Sequence, residues 1–205
     1  MINLGILISG RGSNMESILN FLKEHTTSNI SPKIVISSKA EAEGLQKSSK
    51  FEIPTSTISS NSKGWDYDKE IVKKLQEHDV YPENGLVCLA GYRRLLSPEF
   101  VRKYKMRIMN IHPSLLPSFP GLNSQKKALD YGVKVTGCTV HFVDEGLDSG
   151  PIIAQRHVAV LDNDTDESLS DRILEQEHIL YPYCVNLFAE QRLLVHGRRV
   201  IVTGQ

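Results

Sequence analysis

The 205-residue chain carries 24 basic and 24 acidic side chains, and 40% of its residues are apolar. Zero formal net charge argues against a generalised nucleic-acid or membrane-surface binder, and no apolar run reaches membrane-spanning length. The Met1–Gly5 start lacks a basic segment followed by an apolar signal core, so one soluble cytoplasmic domain is the expectation. Cys88, Cys138 and Cys184 are far apart, and no Cys-x-x-Cys or His-x-x-x-His cluster suggests zinc. They read as reduced core thiols, with no metal expected.

Ile2 to Ile8 is nearly continuous in apolar residues, as in a strand buried on both faces. Ser9-Gly10-Arg11-Gly12-Ser13-Asn14 follows, and then Met15, Ile18, Leu19 and Leu22 recur at helical spacing. The pattern is strand, glycine loop, helix. It reads equally as a phosphate cradle on a helix N-terminus or as a tight turn capped by Ser13 or Asn14. It is neither Walker A nor a full Gly-x-Gly-x-x-Gly, so a single phosphate suits it better than a dinucleotide.

Lys33–Ser37 and Pro54–Ile58 are expected strands around a helix over 40–50, and the Ser- and Asn-rich stretch from Ser56 to Gly64 reads as a mobile loop. A helix over Asp66–Glu77 turns Ile71, Val72 and Leu75 inward. Leu86–Ala90 is a further apolar strand, and Ser97-Pro98 opens a short helix with serine as cap and proline at its first position. Met106–Ile111 is the next strand. Such alternation predicts a Rossmann-like, doubly wound, mostly parallel α/β sheet. Beyond Gly121 the pattern changes: a helix over Ser124–Tyr131, strands over Val135–Val143 and Ile152–Val160, and a long helix over Thr165–Ala189. That helix turns Leu169, Ile173, Ile179 and Leu180 inward and bends near Pro182. A terminal hairpin pairs Leu193–Val195 with Arg199–Val202.

Asn110-Ile111-His112-Pro113 stands where the Met106 strand meets prolines, and ligands of open parallel sheets bind at carboxyl ends of strands. Residues two apart on a strand point the same way, so Asn110 and His112 are placed to face one reacting atom. Asp148, in Leu-Asp-Ser-Gly-Pro, reads on its own as a turn former. Amide, imidazole and carboxylate together suit proton transfer and stabilisation of a developing oxyanion.

Six segments occur in order: Leu7 to Asn14, Leu89 to Ser97, Asn110 to Gly121, Thr139 to Val143, Asp148 to Pro151, and Glu175 to His178. Together, over about residues 2–202, they resemble the phosphoribosylglycinamide formyltransferase family, the folate-dependent glycinamide ribonucleotide transformylases of purine synthesis. The resemblance implies that the formyl group of 10-formyltetrahydrofolate passes to the amino group of glycinamide ribonucleotide. It makes Asn110, His112 and Asp148 the catalytic set. It assigns Gly12, Ser13, Asn14 and Glu177 to the ribonucleotide, and Arg94, Leu95, Leu96, Asn110, Val143 and Asp144 to the folate. His141, inside an apolar strand, becomes a buried support for the site. A single formyltransferase domain is implied, with residues 1–110 as the ribonucleotide half and 111–205 as the folate half. Glu177 by itself also reads as an exposed helix charge, and Arg94 as a solvated arginine or a partner for a folate carboxylate.

Departures from the family pattern include Arg93 at a common methionine position and Asn123 and Gln125 at histidine positions. Two sister activities share the Asn-x-His and late Asp pattern. A methionyl-tRNA formyltransferase needs an added basic RNA-binding domain, and a formyltetrahydrofolate deformylase, with water as acceptor, lacks the Ser9–Asn14 loop. A folate- or nucleotide-binding regulatory module is the non-enzyme alternative. The expected partners are small molecules only, with neither nucleic acid nor membrane, acting on a monomer or weak homodimer.

Overall fold

The computed structural model describes residues 1–25 and 29–204, and the chain forms two compact units, Met1–Asn110 and Ile111–Gln205. In the first unit β1 (Ile2–Ile8), β2 (Ile30–Ser37), β3 (Thr55–Thr57), β4 (Gly85–Leu89) and the start of β5 (Ile108–His112) lie in the order β3-β2-β1-β4-β5. Every neighbouring pair is parallel. The connections carry α1 (Ser13–Glu24), α2 (Glu43–Ser48), α3 (Trp65–Glu77) and α4 (Pro98–Lys103). Strand order runs outward from β1 to β3 and then reverses to β4. The loop after β1 therefore opens at the switch point where such sheets bind ligands.

Hydrophobic patterning explains most of these elements. All of Leu4 to Ile8 is buried, as are Met15, Ile18, Leu19 and Leu22 on the inner face of α1. A Cβ on Gly5 would lie 2.4 Å from Leu75 Cδ2, so glycine lets α3 approach β1 closely. Ser97 caps α4 as expected, its side chain accepting from the Phe100 N–H.

Several boundaries moved. The second strand starts at Ile30 rather than Lys33, because pairing with β1 carries it through Pro32. The register shifts between Leu4 and Gly5, and Pro32 lies opposite Leu4 at that irregularity, where a missing N–H is tolerated. The helix expected over 40–50 shortens to Glu43–Ser48 plus a single 3-10 turn, Ser49–Phe51, closed by Glu52 at φ 57°. Met106, also in left-handed backbone at φ 58°, delays β5 to Ile108. The expected loop from Ser56 is partly β3, and beyond it Ile58 is buried and accepts a 2.7 Å bond from the Tyr67 hydroxyl.

The second unit holds the last two residues of β5, then α5 (Ser124–Tyr131), β6 (Val135–Phe142), β7 (Ile152–Ala159), α6 (Asp166–Ala189), β8 (Leu193–His196) and β9 (Arg199–Val202). Its sheet order is β6-β7-β9-β8, antiparallel within β6–β7 and β8–β9, and parallel between β7 and β9. The long helix and closing hairpin are as expected. Thr165 and Ser168 form a reciprocal capping box that starts α6. The helix continues through Pro182, and Ile179, expected inward, is 52% exposed. Leu169, Ile173, Leu180, Tyr181, Cys184 and Val185 supply the inner face instead. All three cysteines are buried and outside any disulfide, and burial pushes the Cys138 thiol up to about 12.

Candidate active site

His112 ends β5 and is 5% exposed. Its Nε2 lies 2.9 Å from the Phe119 carbonyl oxygen, which can only accept, so this nitrogen carries a hydrogen. Ser124 Oγ, at the start of α5, is 3.0 Å from the same nitrogen. The Ser124 hydroxyl donates to the Gly121 carbonyl at 2.9 Å, which turns its lone pairs toward Nε2–H. On the other side of the ring, Nδ1 faces Asp148 Oδ2 at 3.3 Å. That carboxylate oxygen also accepts the Gly121 N–H at 2.8 Å. Acceptors thus face both ring nitrogens, a pattern that fits an imidazolium–carboxylate pair.

A second imidazole stands on the far side of Asp148. His141 Nε2 is 3.8 Å from Asp148 Oδ1, beyond hydrogen-bond range. Its Nδ1 donates to the Phe142 carbonyl at 2.9 Å, and the ring is 2% exposed. Burial holds His141 below the ordinary imidazole value, while the Phe142 bond and the Asp148 charge oppose that shift. The two histidines therefore differ in kind: His112 has a hydrogen on Nε2 and a carboxylate at Nδ1, and His141 is favoured neutral with Nε2 toward the carboxylate. The β6–β7 register shifts between Val140 and His141, with the extra residue, Ile153, on β7.

The segments carrying these groups are fixed from within. Thr139, two residues before His141 on the same face of β6, donates to the Ser114 carbonyl at 2.7 Å and accepts the Leu116 N–H at 3.0 Å. Gln155 adds bonds to the Leu116 carbonyl and to Thr139 Oγ1, both 2.9 Å. Ser114 donates to the Ser118 carbonyl at 2.5 Å. These bonds shape the proline-rich segment so that the Phe119 carbonyl and Gly121 N–H reach His112 and Asp148. Asp148 lies in left-handed backbone, φ 48°, a conformation aspartate accepts more readily than most side chains. A Cβ on Gly150 would lie 1.8 Å from the Phe142 carbonyl oxygen, so only glycine lets the loop return so close to β6.

Asp144 accepts from Gly146 N–H at 3.1 Å and from Ser149 Oγ at 2.7 Å, so its carboxylate organises the loop that bears Asp148. Val143 beside it is partly buried. Glu177 is 6% exposed on α6, so its reading as an exposed helix charge is overturned.

In the first unit, Gly12 is the N-cap of α1 with φ 69° and, as a glycine, offers no side-chain cap bond. The turn is capped by backbone geometry. A Cβ on Gly12 would lie 2.7 Å from Gly44 Cα, and Gly44 N–H donates to the Gly10 carbonyl at 3.0 Å. The loop is thereby held against α2. Ser9 Oγ accepts the Arg93 N–H at 2.9 Å, which ties the segment after β4 to the same loop. Arg94 stacks on the Tyr67 ring at 3.6 Å and donates to the Ser62 carbonyl at 2.6 Å, so its guanidinium is used locally. Leu95 is 79% exposed and Leu96 partly buried. Asn110 closes this unit, partly exposed on β5 opposite Leu89.

Reading the sequence missed Ser114, Phe119, Gly121, Ser124, Thr139 and Gln155. Thr139 had left a signal, since Thr139 and His141 are polar residues two apart in an otherwise apolar strand. Ser124 looked only like a helix start, and the Phe119 and Gly121 contributions are backbone atoms, which residue identity does not advertise.

A parallel α/β unit opening at its switch point, followed by a unit pairing a buried histidine with an aspartate, has the build of an enzyme that moves protons at a strand end. The Formyl transferase family profile matches residues 2–185, and the chain belongs to that family. It is 38% identical over 206 residues to the phosphoribosylglycinamide formyltransferase of Escherichia coli strain K12, covering 100% of this chain and 95% of that protein. It is 45% identical over 190 residues to the trifunctional purine biosynthetic protein adenosine-3 of Gallus gallus, covering 92% of this chain but only 18% of that protein's length. The fold matches a crystal structure of glycinamide ribonucleotide transformylase 1 from Symbiobacterium toebii with TM-score 0.91 and 44% identity, over 100% of this chain and 95% of that one. The chain is a formyltransferase, and 10-formyltetrahydrofolate is the family's co-substrate. Among the described residues, no group of three or more His, Cys, Asp or Glu is placed to hold a metal ion, and no helix is long and apolar enough to cross a membrane.

Proposed function

We propose that this chain transfers the formyl group of 10-formyltetrahydrofolate to the amino group of glycinamide ribonucleotide, giving formylglycinamide ribonucleotide and tetrahydrofolate. The observation that carries the chemistry is His112 anchored at Nε2 with Nδ1 3.3 Å from Asp148 Oδ2. At that length the Nδ1–H bond is long for a charge-assisted pair, so this hydrogen is the one to share with an incoming oxygen. The substrate amine attacks the formyl carbon, and the carbonyl oxygen becomes negative. His112 and Asn110 donate to that oxygen. Asp148 supports the charged imidazole and passes the proton lost by the attacking amine, through a water, toward the leaving folate nitrogen. His141, favoured neutral by its burial, fills the space behind Asp148 without adding a second cation beside it.

The same reading gives the first unit the ribonucleotide. The N–H groups that open α1, with Gly12, Ser13 and Asn14, receive its phosphate, and the family resemblance assigns Glu177 to the ribonucleotide as well. Arg94, Leu95, Leu96, Asn110, Val143 and Asp144 serve the folate. Arg94 and Asp144 do so by shaping the chain around them, since their own groups are bonded locally. The protein acts on small molecules in the cytoplasm, as a monomer or weak homodimer.

The test is formyl transfer from 10-formyltetrahydrofolate, followed by absorbance, with and without glycinamide ribonucleotide. Tetrahydrofolate formed only with the ribonucleotide, matched by formylated product, supports the reading. Equal folate release without it, accompanied by formate, would make water the acceptor and overturn it.

A further inference from the structure

We infer that Ser124 is a positioning residue for His112, the anchor that keeps Nε2 protonated and Nδ1 turned to the reacting centre. The inference rests on the catalytic role proposed for His112. Ser124 is 1% exposed. A buried hydroxyl needs partners, and this one has two: it donates to the Gly121 carbonyl at 2.9 Å and stands 3.0 Å from His112 Nε2.

The connectivity closes a ring. His112 Nδ1 faces Asp148 Oδ2 at 3.3 Å. Asp148 Oδ2 accepts from Gly121 N–H at 2.8 Å. Gly121 accepts from Ser124 through its carbonyl, and Ser124 accepts from His112 Nε2–H. One peptide group, Gly121, thus touches the carboxylate through its N–H and the imidazole's anchor through its carbonyl. Its backbone is left-handed, φ 77°, which favours glycine there. The direction of every bond is consistent around the ring only if Nε2 is the protonated nitrogen. A hydroxyl donating to Nε2 would instead require a lone pair on that nitrogen, which would then repel the Phe119 carbonyl oxygen 2.9 Å away.

Phe119 alone leaves the imidazole held at Nε2 by one acceptor, free to pivot about it. Ser124 supplies the second acceptor, which fixes the ring plane and with it the direction of Nδ1–H. No part of Ser124 is needed to touch substrate, so its loss is felt in the chemical step and not in binding.

The experiment compares wild type, Ser124→Ala, Ser124→Thr and His112→Ala, each first shown to be folded by circular dichroism. Side-chain nitrogen and proton NMR of His112 is recorded without substrates, and steady-state formyl transfer is measured with both. Loss of one orienting hydrogen bond predicts a fall in kcat of about tenfold in Ser124→Ala, both KM values staying within about twofold. The His112 Nε2–H resonance shifts or exchanges faster in that variant, and Ser124→Thr, which keeps the hydroxyl, restores both signals. An unchanged His112 resonance and unchanged kcat in folded Ser124→Ala overturn the inference. So does an equal loss of kcat in Ser124→Ala and in a folded Ser124→Thr whose Nε2–H resonance is that of wild type. Full activity in His112→Ala would sink the catalytic reading itself, and the NMR comparison separates that failure from the failure of the anchor.

Discussion

The Ser9–Asn14 loop and the His112–Asp148 centre are built from opposite materials. The loop works through backbone: Gly12, which has no side chain, caps α1 in left-handed conformation. The centre works through side chains, with two imidazoles around one carboxylate and the Ser124 hydroxyl on His112. What differs is the kind of change each can absorb. The loop is sensitive to a Cβ added at Gly12 and tolerant of altered polar groups. The centre keeps its fold under polar substitution but loses its chemistry.

The largest effect is expected at the centre. His112→Ala should lower kcat/KM for formyl transfer at least about a thousandfold, and Asp148→Asn about a hundredfold or more, while Tm stays within a few degrees. A loss below tenfold in absorbance assays would place the chemistry elsewhere. Next comes the loop. Gly12→Ala forces a left-handed Cβ to 2.7 Å from Gly44 Cα, and about 2–4 kcal/mol of stability should vanish in urea titrations. Gly10→Ala is the control, since a Cβ there meets no atom within 4 Å. Equal behaviour of the two variants would remove the backbone argument.

The third test uses pH. His141 is held below its ordinary value by burial, so its folded form refuses a proton that the unfolded chain accepts near pH 6.5. His141 therefore costs no stability above that pH. As pH falls through about 6.5 toward the lowered folded value, stability drops by up to about 1.4 kcal/mol per pH unit. A folded His141→Gln should flatten that acid slope in denaturation series between about pH 7 and 5, and an unchanged slope would assign it to another group. The smallest effect is expected at Ser13. Ser13→Ala should change stability by less than about 0.5 kcal/mol, because Gly12, not Ser13, is the N-cap. It should raise the ribonucleotide KM by about three- to tenfold with kcat unchanged. A KM that stays at the wild-type value would leave the loop as a plain strand-to-helix turn.

Periodicity placed most elements within a few residues. α5 falls on Ser124–Tyr131 as read, and β1, α4 and α6 begin where apolar runs and capping residues say they must. The shifts have local causes in long-range pairing. Ile30 to Pro32 become strand only because β1 lies alongside, and Met106 leaves the strand because the chain turns there. Ile179 shows the same limit: spacing marks a residue as apolar, and packing decides whether it is covered. At the centre, Asn110, His112 and Asp148 were visible as residue types next to turn signals. Their partners were not, because the Phe119 carbonyl and the Gly121 amide are the same atoms in every residue.

By itself, then, the sequence determined the alternation of strands and helices, the glycine loop after the first strand, and a histidine and an aspartate in family-like surroundings. Apolar spacing, caps and prolines act over a few residues, so local chemistry settles them. The tertiary structure decided which nitrogen of His112 is anchored, that His141 stands behind Asp148 buried and disfavouring a proton, and that Ser124 and Gly121 complete the ring. Those outcomes depend on distances between residues up to 36 positions apart in the chain, from His112 to Asp148, and only the folded chain sets such distances.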